Sequence, residues 1–262
     1  MVNPLLVLTD YTYLFILIVL RYAGLFIVTP ILSSGAYPRR MKAAAAFWLA
    51  VATAPVIANS YEVVFPDHPL LVAGDVLREL SIGLVIGFLV LLIFSSIQLA
   101  GQVIDIKMGF LIVNVFDPVS DVQGPVTGQF KNILASILFL TINGHLMLIR
   151  ALYSTYNTLP PGEMIIAQQG WQLFFRAAGD IFIIAFMIAL PVVGTIFMTD
   201  IIFGFLARSI PQINIFIVGL PFKILIGVLI LLLSTTMFMQ YFVGLFENAF
   251  SQIAEMIEYI SP

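Results

Sequence analysis

The sequence predicts an all-α integral membrane protein built from about six long apolar helices, some of them broken or hairpin-like, with an amphipathic helix at the C-terminus. Of its 262 residues, 61% are hydrophobic and only 10% are charged, whereas an average soluble domain is roughly one-quarter charged. So few charges cannot cover a globule of this size, so lipid or apolar subunits must surround the chain. The apolar runs are continuous rather than alternating, which indicates helices.

Six runs poor in charge mark the expected membrane segments, because a charge at the bilayer centre costs about 2.5–3.5 kcal/mol on insertion scales. They are Tyr11–Leu32, Ala43–Asn59, Leu80–Ile104, Asn132–Ile149, Ile181–Thr199 and Ser209–Phe246. The last run is nearly twice the roughly 20 residues that span a bilayer. We therefore expect it to bend or double back near Pro221.

Two further patterns concern the ends and the orientation of the chain. The stretch Phe246–Ile260 places apolar side chains on one helical face and its glutamates off that face, which predicts an amphipathic helix against a partner or in the membrane interface. The densest positive cluster, Arg39, Arg40 and Lys42, predicts a cytoplasmic loop. With six alternating helices, both termini would then lie on the opposite side.

The sequence carries no constellation that points to catalysis or to a cofactor. Cysteine is absent and the two histidines, His68 and His145, are far apart without metal-ligand spacing. No nucleophile elbow, phosphate-binding loop or dinucleotide fingerprint occurs. The net charge of −3, without a basic stripe, argues against nucleic acid. We expect neither an enzyme nor a bound metal or cofactor.

Three residues inside the expected segments need explanation. Arg21 interrupts the first segment, and a charge within the membrane is by default a functional hypothesis. A structural ion pair, or a side chain that reaches out to the interface, would explain it equally well, and the sequence leaves these alternatives open. Gly83 and Gly87 form a GxxxG pair, which predicts close packing of two helix backbones.

The stretch Met108–Phe116 is uncharged, almost wholly apolar and too short to span a membrane. It lies between Lys107 and the pair Asp117-Pro118. Two interpretations remain open from the residues alone. The stretch is either ordinary buried core or a re-entrant loop, and irregular backbone at membrane depth is tolerated only where protein buries it or where it lines a cavity.

A series of short motifs carries a resemblance to a known family. In chain order they are Arg21, Thr29-Pro30-Ile31-Leu32, Ala36–Lys42, Glu79 with Gly83 and Gly87, Ala100–Asp105, Met108-Gly109, Asp117-Pro118, Pro125, Phe139–His145, Thr158-Leu159-Pro160, Ala189-Leu190-Pro191 and Pro211–Pro221. No single motif is specific, but their order and spacing are. By them the chain resembles the FliR branch of the SctT family of type III export-gate proteins.

The resemblance implies a subunit of the flagellar type III protein export gate, at the flagellar basal body in the bacterial cytoplasmic (inner) membrane. Its partners would be FliP and FliQ, with FlhB around the entrance, and unfolded flagellar proteins would pass through the assembled conduit. The family's fold implies a FliP-like part at residues 1–150 and a FliQ-like part at residues 151–262. Several apolar runs would then face protein rather than membrane lipid, so a six-span topology could come from hydropathy alone.

The resemblance also assigns candidate site residues. The family's plug loop aligns with Gly109–Phe116, which implies a pore plug formed by Met108, Gly109, Phe110, Ile112, Val115 and Phe116. Structural or assembly roles are implied for Arg21, Pro38, Arg39, Gly83, Gly87, Asp117 and Pro118. No catalytic or metal residue is implied.

Two functions from other classes also fit a small multi-helix protein. A secondary transporter or channel subunit should show charged or unwound midplane sites in paired repeats, and no repeat is visible. An intramembrane hydrolase needs a nucleophile with its base, or paired acidic residues, inside the helices. Here Asp105, Asp180 and Asp200 stand at the ends of the predicted segments.

Overall fold

The computed structural model describes residues 4–33, 38–61, 63–110, 125–163, 168–212 and 214–260, which form helices and their connections. The helices are α1 (Pro4–Val28), α2 (Pro30–Ser33), α3 (Arg39–Ala58), α4 (Pro69–Met108), α5 (Val126–Thr141), α6 (Gly144–Ser154), a 3₁₀ turn (Thr155–Asn157), α7 (Gln168–Ser209) and α8 (Ile215–Ile260). No strand occurs in these ranges. The predicted all-α fold is confirmed.

Five of the described helices, α1, α3, α4, α7 and α8, are long and apolar enough to cross a membrane, and the α5–α6 pair makes a sixth if it counts as one broken span. The interruption lies at Asn143, whose φ of 58° is left-handed. Asn tolerates this conformation better than most residues, because its short polar side chain bonds locally. The prediction of about six apolar helices, some broken, is thus confirmed.

The last apolar run does not double back near Gly219-Leu220-Pro221, so that part of the expectation is wrong. Helix α8 continues from Ile215 to Ile260, and Pro221 lies in its second turn. So close to a helix start, a proline without an N–H removes little of the hydrogen-bond ladder. The amphipathic stretch Phe246–Ile260 is the last part of the same helix.

Three helices are much longer than a bilayer requires. Helices α4, α7 and α8 have 40, 42 and 46 residues, or about 60–70 Å each at 1.5 Å per residue. The hydrocarbon core of a bilayer is about 30 Å thick. Parts of these helices must therefore run outside the hydrocarbon, where other protein or water surrounds them.

The chain forms two compact units, one from residues 1–92, 142–178 and 246–262, the other from residues 93–141 and 179–245. Each unit combines stretches from both halves of the sequence. The predicted division into a FliP-like part at 1–150 and a FliQ-like part at 151–262 rests on sequence similarity to other proteins, and not on which residues pack together. It stays a prediction.

In the first unit, α1 and the first half of α4 meet with their backbones in contact. A methyl group built on Gly83 would overlap the carbonyl oxygen of Arg21 and would lie 3.0 Å from the Cα of Gly24. One turn further along, a methyl group on Gly87 would lie 3.1 Å from the hydroxyl of Thr29. The absence of side chains at the crossing lets the two helices approach this closely.

In the second unit, an aromatic cluster joins three helices. The ring of Phe94 in α4 contacts those of Phe139 in α5 and Phe242 in α8, edge to face, with centroids 6.2 and 6.0 Å apart. Nearby, a methyl group on Gly101 would overlap the backbone of Gly128, so α4 and the start of α5 also touch backbone to backbone.

Large apolar faces of α7 and α8 remain uncovered by the described chain. Only 28% of the most apolar stretch of α7 and 11% of that of α8 are buried, whereas the corresponding share of α4 is 61%. A surface of this extent needs lipid or another subunit against it.

The crossing of α1 and α4 generates a first prediction. Gly83→Ala should force the two helices apart and lower the midpoint of thermal aggregation of the detergent-solubilised protein, because the new methyl group meets backbone that cannot rotate away. Gly74→Ala, in the same helix, is the matched control, since nothing lies within 4 Å of its methyl group. There alanine should stabilise the helix by about 0.5–1 kcal/mol. Equal midpoints for the two variants would contradict the close crossing.

Candidate functional site

A fully buried ion pair lies in the first unit. Arg21 of α1 donates from Nε to Oε2 of Glu79 at 2.6 Å and from Nη2 to Oε1 at 2.8 Å, and both side chains are 0% exposed. The third donor, Nη1, reaches the hydroxyl of Thr155 at 2.7 Å. Two parallel bonds between a guanidinium and a carboxylate are among the strongest polar contacts in proteins.

Backbone and aromatic groups complete the environment of this pair. The guanidinium carbon lies 3.9 Å from the centre of the Tyr156 ring, a cation–π contact. Oε1 of Glu79 also accepts a hydrogen bond from the backbone N–H of Gly162 at 2.8 Å. The φ of Gly162 is +86°, a left-handed conformation that glycine adopts at little cost. The turn after Pro160-Pro161 thus delivers an N–H to the buried carboxylate.

Arg21 is therefore ion-paired within the chain and does not reach the membrane surface. Of the alternatives that the sequence left open, the geometry matches the structural ion pair. Its contribution to assembly stays a prediction. The sequence offered only weak signals for the partners, because Glu79 marks the edge of an apolar run and Thr155 lies in a connecting stretch.

A second, more exposed set of charges lies near the buried pair. The hydroxyl of Tyr13 donates to Oδ2 of Asp75 at 2.7 Å, and Nη1 of Arg78 donates to Oδ1 of Asp75 at 2.9 Å and to the carbonyl of Gly162 at 3.1 Å. The side chain of Arg78 is 50% exposed. Screening by water makes such an ion pair weak.

The base of the predicted plug lies in the second unit, at the end of α4. Met108 is fully buried, and its side chain fills the space over Gly227 of α8, where a methyl group would lie 2.5 Å from its Cε. Gly109 ends the helix with a φ of +87°, and Phe110 is half-buried. The other predicted plug residues, Ile112, Val115 and Phe116, lie outside the described residues, as do Asp117 and Pro118.

Polar and backbone contacts hold together the two ends of the stretch that contains the plug. Asp105, three residues before Met108, accepts hydrogen bonds from the hydroxyl of Thr127 and from its backbone N–H, the latter at 3.2 Å. Both residues are buried. Thr127 is the second residue of α5, so the carboxylate caps the positive end of that helix from a neighbouring one. The contact of Gly101 with Gly128 lies directly beside it.

This clamp, defined by Asp105 and Thr127, was not among the sequence-predicted site residues. Asp105 was noted as the end of an apolar run and as the last residue of the motif Ala100–Asp105, and Thr127 was not noted at all. The available signal was their position, since an acidic residue and a helix-start threonine flank the apolar stretch on its two sides.

Of the remaining predicted residues, Pro38 and Arg39 belong to neither cluster, whereas Gly83 adjoins Arg21. Pro38 stands just before α3, and its carbonyl accepts the backbone N–H of Met41 at 2.9 Å. Arg39, the first residue of α3, is exposed. Gly83 and Gly87 lie at the α1–α4 crossing beside Arg21. Within the described ranges, no three His, Asp or Glu side chains are placed to hold a metal ion.

Comparison with known proteins decides the family. Residues 12–249 match the sequence family described as bacterial export proteins, family 1. The chain belongs to this family. Membership in the bacterial export family confirms the resemblance to FliR and SctT proteins.

Individual members of the bacterial export family cover most of the chain. The flagellar biosynthetic protein FliR of Escherichia coli (strain K12) is 31% identical over 238 residues, 91% of this chain and 90% of the relative. That of Bacillus subtilis (strain 168) is 31% identical over 221 residues, 83% and 84%. The Yop proteins translocation protein T of Yersinia pestis is 25% identical over 227 residues, 84% and 85%. The chain is therefore a membrane-embedded component of flagellar, type III protein export.

The buried ion pair generates a second prediction for this export component. Glu79→Gln should leave the charge of Arg21 buried without a counter-ion, which costs about 3–5 kcal/mol. Arg78→Gln is the matched control one residue earlier, and its half-exposed pair is worth about 0–1 kcal/mol. We expect the amount of folded protein in membranes, measured by fluorescence-detected gel filtration, to fall sharply for Glu79→Gln only.

A double variant separates charge from packing. Arg21→Met combined with Glu79→Leu removes both charges and should recover part of the protein lost in Glu79→Gln, because an apolar pair leaves no uncompensated ion. Arg21→Lys should give less folded protein than the wild-type chain, because an ammonium group cannot make the two parallel hydrogen bonds to Glu79. Similar losses for Arg78→Gln and Glu79→Gln would contradict the assignment.

Proposed function

We propose that the chain is a subunit of the flagellar type III export gate in the bacterial inner membrane. With FliP and FliQ it forms the conduit for unfolded flagellar proteins, FlhB surrounds the entrance, and the segment Met108–Phe116 contributes an apolar plug. The observation that carries the proposal is the clamp, because it holds together Asp105 and Thr127, which flank the stretch that contains this short apolar segment. Membership in the bacterial export family supports the same function.

A conduit for unfolded chains must pass any sequence and still hold back ions at rest. Apolar side chains achieve both, because they exclude water when they pack together and repack around different passengers. Fixed charges or a metal would instead bind some passengers and select against others. The predicted plug residues Phe110, Ile112, Val115 and Phe116 are of the required kind.

The described end of the segment supports a plug that moves on a fixed base. Met108 is anchored over Gly227, whereas Gly109 has the left-handed backbone that ends the helix directly after it. A cavity of about 520 Å³ borders Gly109, and the small residues Gly204, Ala207 and Gly219 contribute to its wall. These features provide a rigid anchor, a change of backbone direction and free volume next to each other.

The uncovered faces of α7 and α8 support a hetero-oligomeric gate. In the proposal, FliP and FliQ cover these faces and lipid covers the remainder. The two long helices of residues 151–262 would correspond to the FliQ-like part and the helices of residues 1–150 to the FliP-like part.

The plug generates a third prediction. Replacing Phe110, Ile112, Val115 and Phe116 together by glycine should let ions leak across the inner membrane while the gate still assembles, because the sealing side chains are lost and the clamp remains. Membrane conductance and the yield of the complex with FliP and FliQ are measured on the same cells. Met108→Leu is the control, since it conserves volume at the anchor and should leave both quantities unchanged.

Two different outcomes of the glycine variant would contradict the proposal. If the segment were ordinary core, complex yield would collapse, because losing large buried side chains costs about 2–5 kcal/mol each. If the complex assembled without a leak, the segment would not be the seal.

The clamp generates a fourth prediction. Asp105→Ala removes the acceptor for the Thr127 N–H and hydroxyl, so one end of the plug segment is released and a partial leak should appear. Lys107→Ala, two residues later on the exposed side of α4, is the matched control and should not leak. Conductance that is identical for the two variants, at equal complex yield, would show that the clamp does not hold the plug.

A further inference from the structure

Lys131 places an ammonium group where water hardly reaches. It lies in the second turn of α5 and is only 3% exposed. Its Nζ stands 4.2 Å from the centre of the Phe238 ring. Among the described residues, no carboxylate oxygen lies within 4.0 Å of that Nζ.

The contact with Phe238 does not replace a counter-ion. The free energy gained from a cation–π contact is smaller than the free energy that it costs to remove an ammonium group from water. Charged side chains inside membrane segments almost always pair with one another or face a water-filled cavity. Within the described ranges, the ammonium of Lys131 therefore has no carboxylate partner.

A half-open cavity of about 170 Å³ adjoins Lys131. Its wall is almost wholly apolar and comes from the middle of α7 and α8, including Met187, Leu190, Met237 and Tyr241. An engineered cavity of about 150 Å³ holds one benzene molecule, so the space fits one side chain rather than a whole drug-sized ligand. We call it the Lys131 cavity.

The depth of the cavity decides which anion can fill it. The uncharged stretch of α7 is residues 181–199 and that of α8 is residues 224–246, and the lining residues 187–191 and 234–241 stand at the middle of each. If these uncharged stretches span a bilayer, a headgroup phosphate lies about half of the 30 Å hydrocarbon thickness from their middle. A carboxylate on a transmembrane helix can stand at the middle.

We propose that the Lys131 cavity receives an acidic side chain from an apolar helix of a partner subunit, whose carboxylate pairs with the ammonium of Lys131. The apolar rim, in which Met187, Leu190 and Met237 are 53%, 46% and 66% exposed, packs against that helix on either side of the acid. The inference rests on the proposed hetero-oligomeric gate. It adds that Lys131 fixes the register of one partner helix against this chain. A single buried polar contact sets register well, because every other alignment leaves a charge unpaired.

Zero-length coupling tests the pair in the intact complex. Dicyclohexylcarbodiimide, a membrane-soluble reagent, activates carboxyl groups so that an adjacent amine forms an amide. Mass spectrometry of the treated wild-type gate should find Lys131 joined to an aspartate or glutamate in an apolar segment of a partner. Lys131→Arg is the matched control, since it keeps the charge and lacks the reactive amine, so complex yield should persist while the link disappears.

A charge-removal pair tests the energetics. Lys131→Met should reduce the yield of the complex by about tenfold or more, because the partner's acid is left buried and unpaired. Changing that acid to its neutral amide or to leucine in the same cells should restore the yield. A merely structural role of Lys131 within this chain predicts no such rescue.

Each other outcome overturns the inference in a recognisable way. A link to Asp117 or Asp121 of the same chain would show that the ion pair lies within this chain. A fatty acyl amide on Lys131 would show that a lipid fills the cavity. The absence of any link would show that no carboxylate lies at the cavity. Full assembly of Lys131→Met would remove the energetic role. A wild-type chain that forms no hetero-oligomer would instead defeat the proposed function itself.

Discussion

A guanidinium and a carboxylate that share two hydrogen bonds away from all water organise the first unit. Arg21 and Glu79 are 58 residues apart in sequence, so the pair joins α1 to α4, and each member needs further partners for its remaining donors and lone pairs. Thr155, the ring of Tyr156 and the N–H of Gly162 provide them. The glycines at the α1–α4 crossing let the two backbones come close enough for the side chains of Arg21 and Glu79 to pair. Packing and charge thus impose the same geometry on this unit.

The second unit applies the same constraint in another way. Two of its buried polar groups, Asp105 and Thr127, lie near the end of α4 and the start of α5. Their hydrogen bonds hold together the two sides of the stretch that contains the predicted plug. Polar contacts specify position, because their geometry is narrow, whereas apolar contacts tolerate exchange of neighbours. The proposed gate would need both properties side by side, because its frame would stay in place while its seal adapts to every passenger.

Much of the fold was predictable from the sequence, because the cost of a charge in lipid keeps charged residues out of the apolar helices and so marks where these helices lie. The uncharged runs predicted the helices, and Arg21 stood out for the same reason. The break at Asn143 and the unbroken path of α8 through Pro221 were not predictable, since both depend on how neighbouring turns pack. Glu79 and Lys131 were taken as the ends of apolar runs, yet both are buried. A one-dimensional pattern reports that a charge is present and not what surrounds it.

The contacts around Glu79 also constrain the order in which the chain can be made. Gly162 follows Glu79 by 83 residues, a stretch that a ribosome needs about 4–17 s to add at roughly 5–20 residues per second. During that interval Arg21 and Glu79 can already neutralise each other, but the last lone pair of the carboxylate has no protein partner. The nascent protein therefore passes through a stage in which this carboxylate lacks one of the hydrogen-bond donors that it has in the complete fold. Until the Pro160–Gly162 turn emerges, that lone pair can accept a hydrogen bond only from water or from another protein.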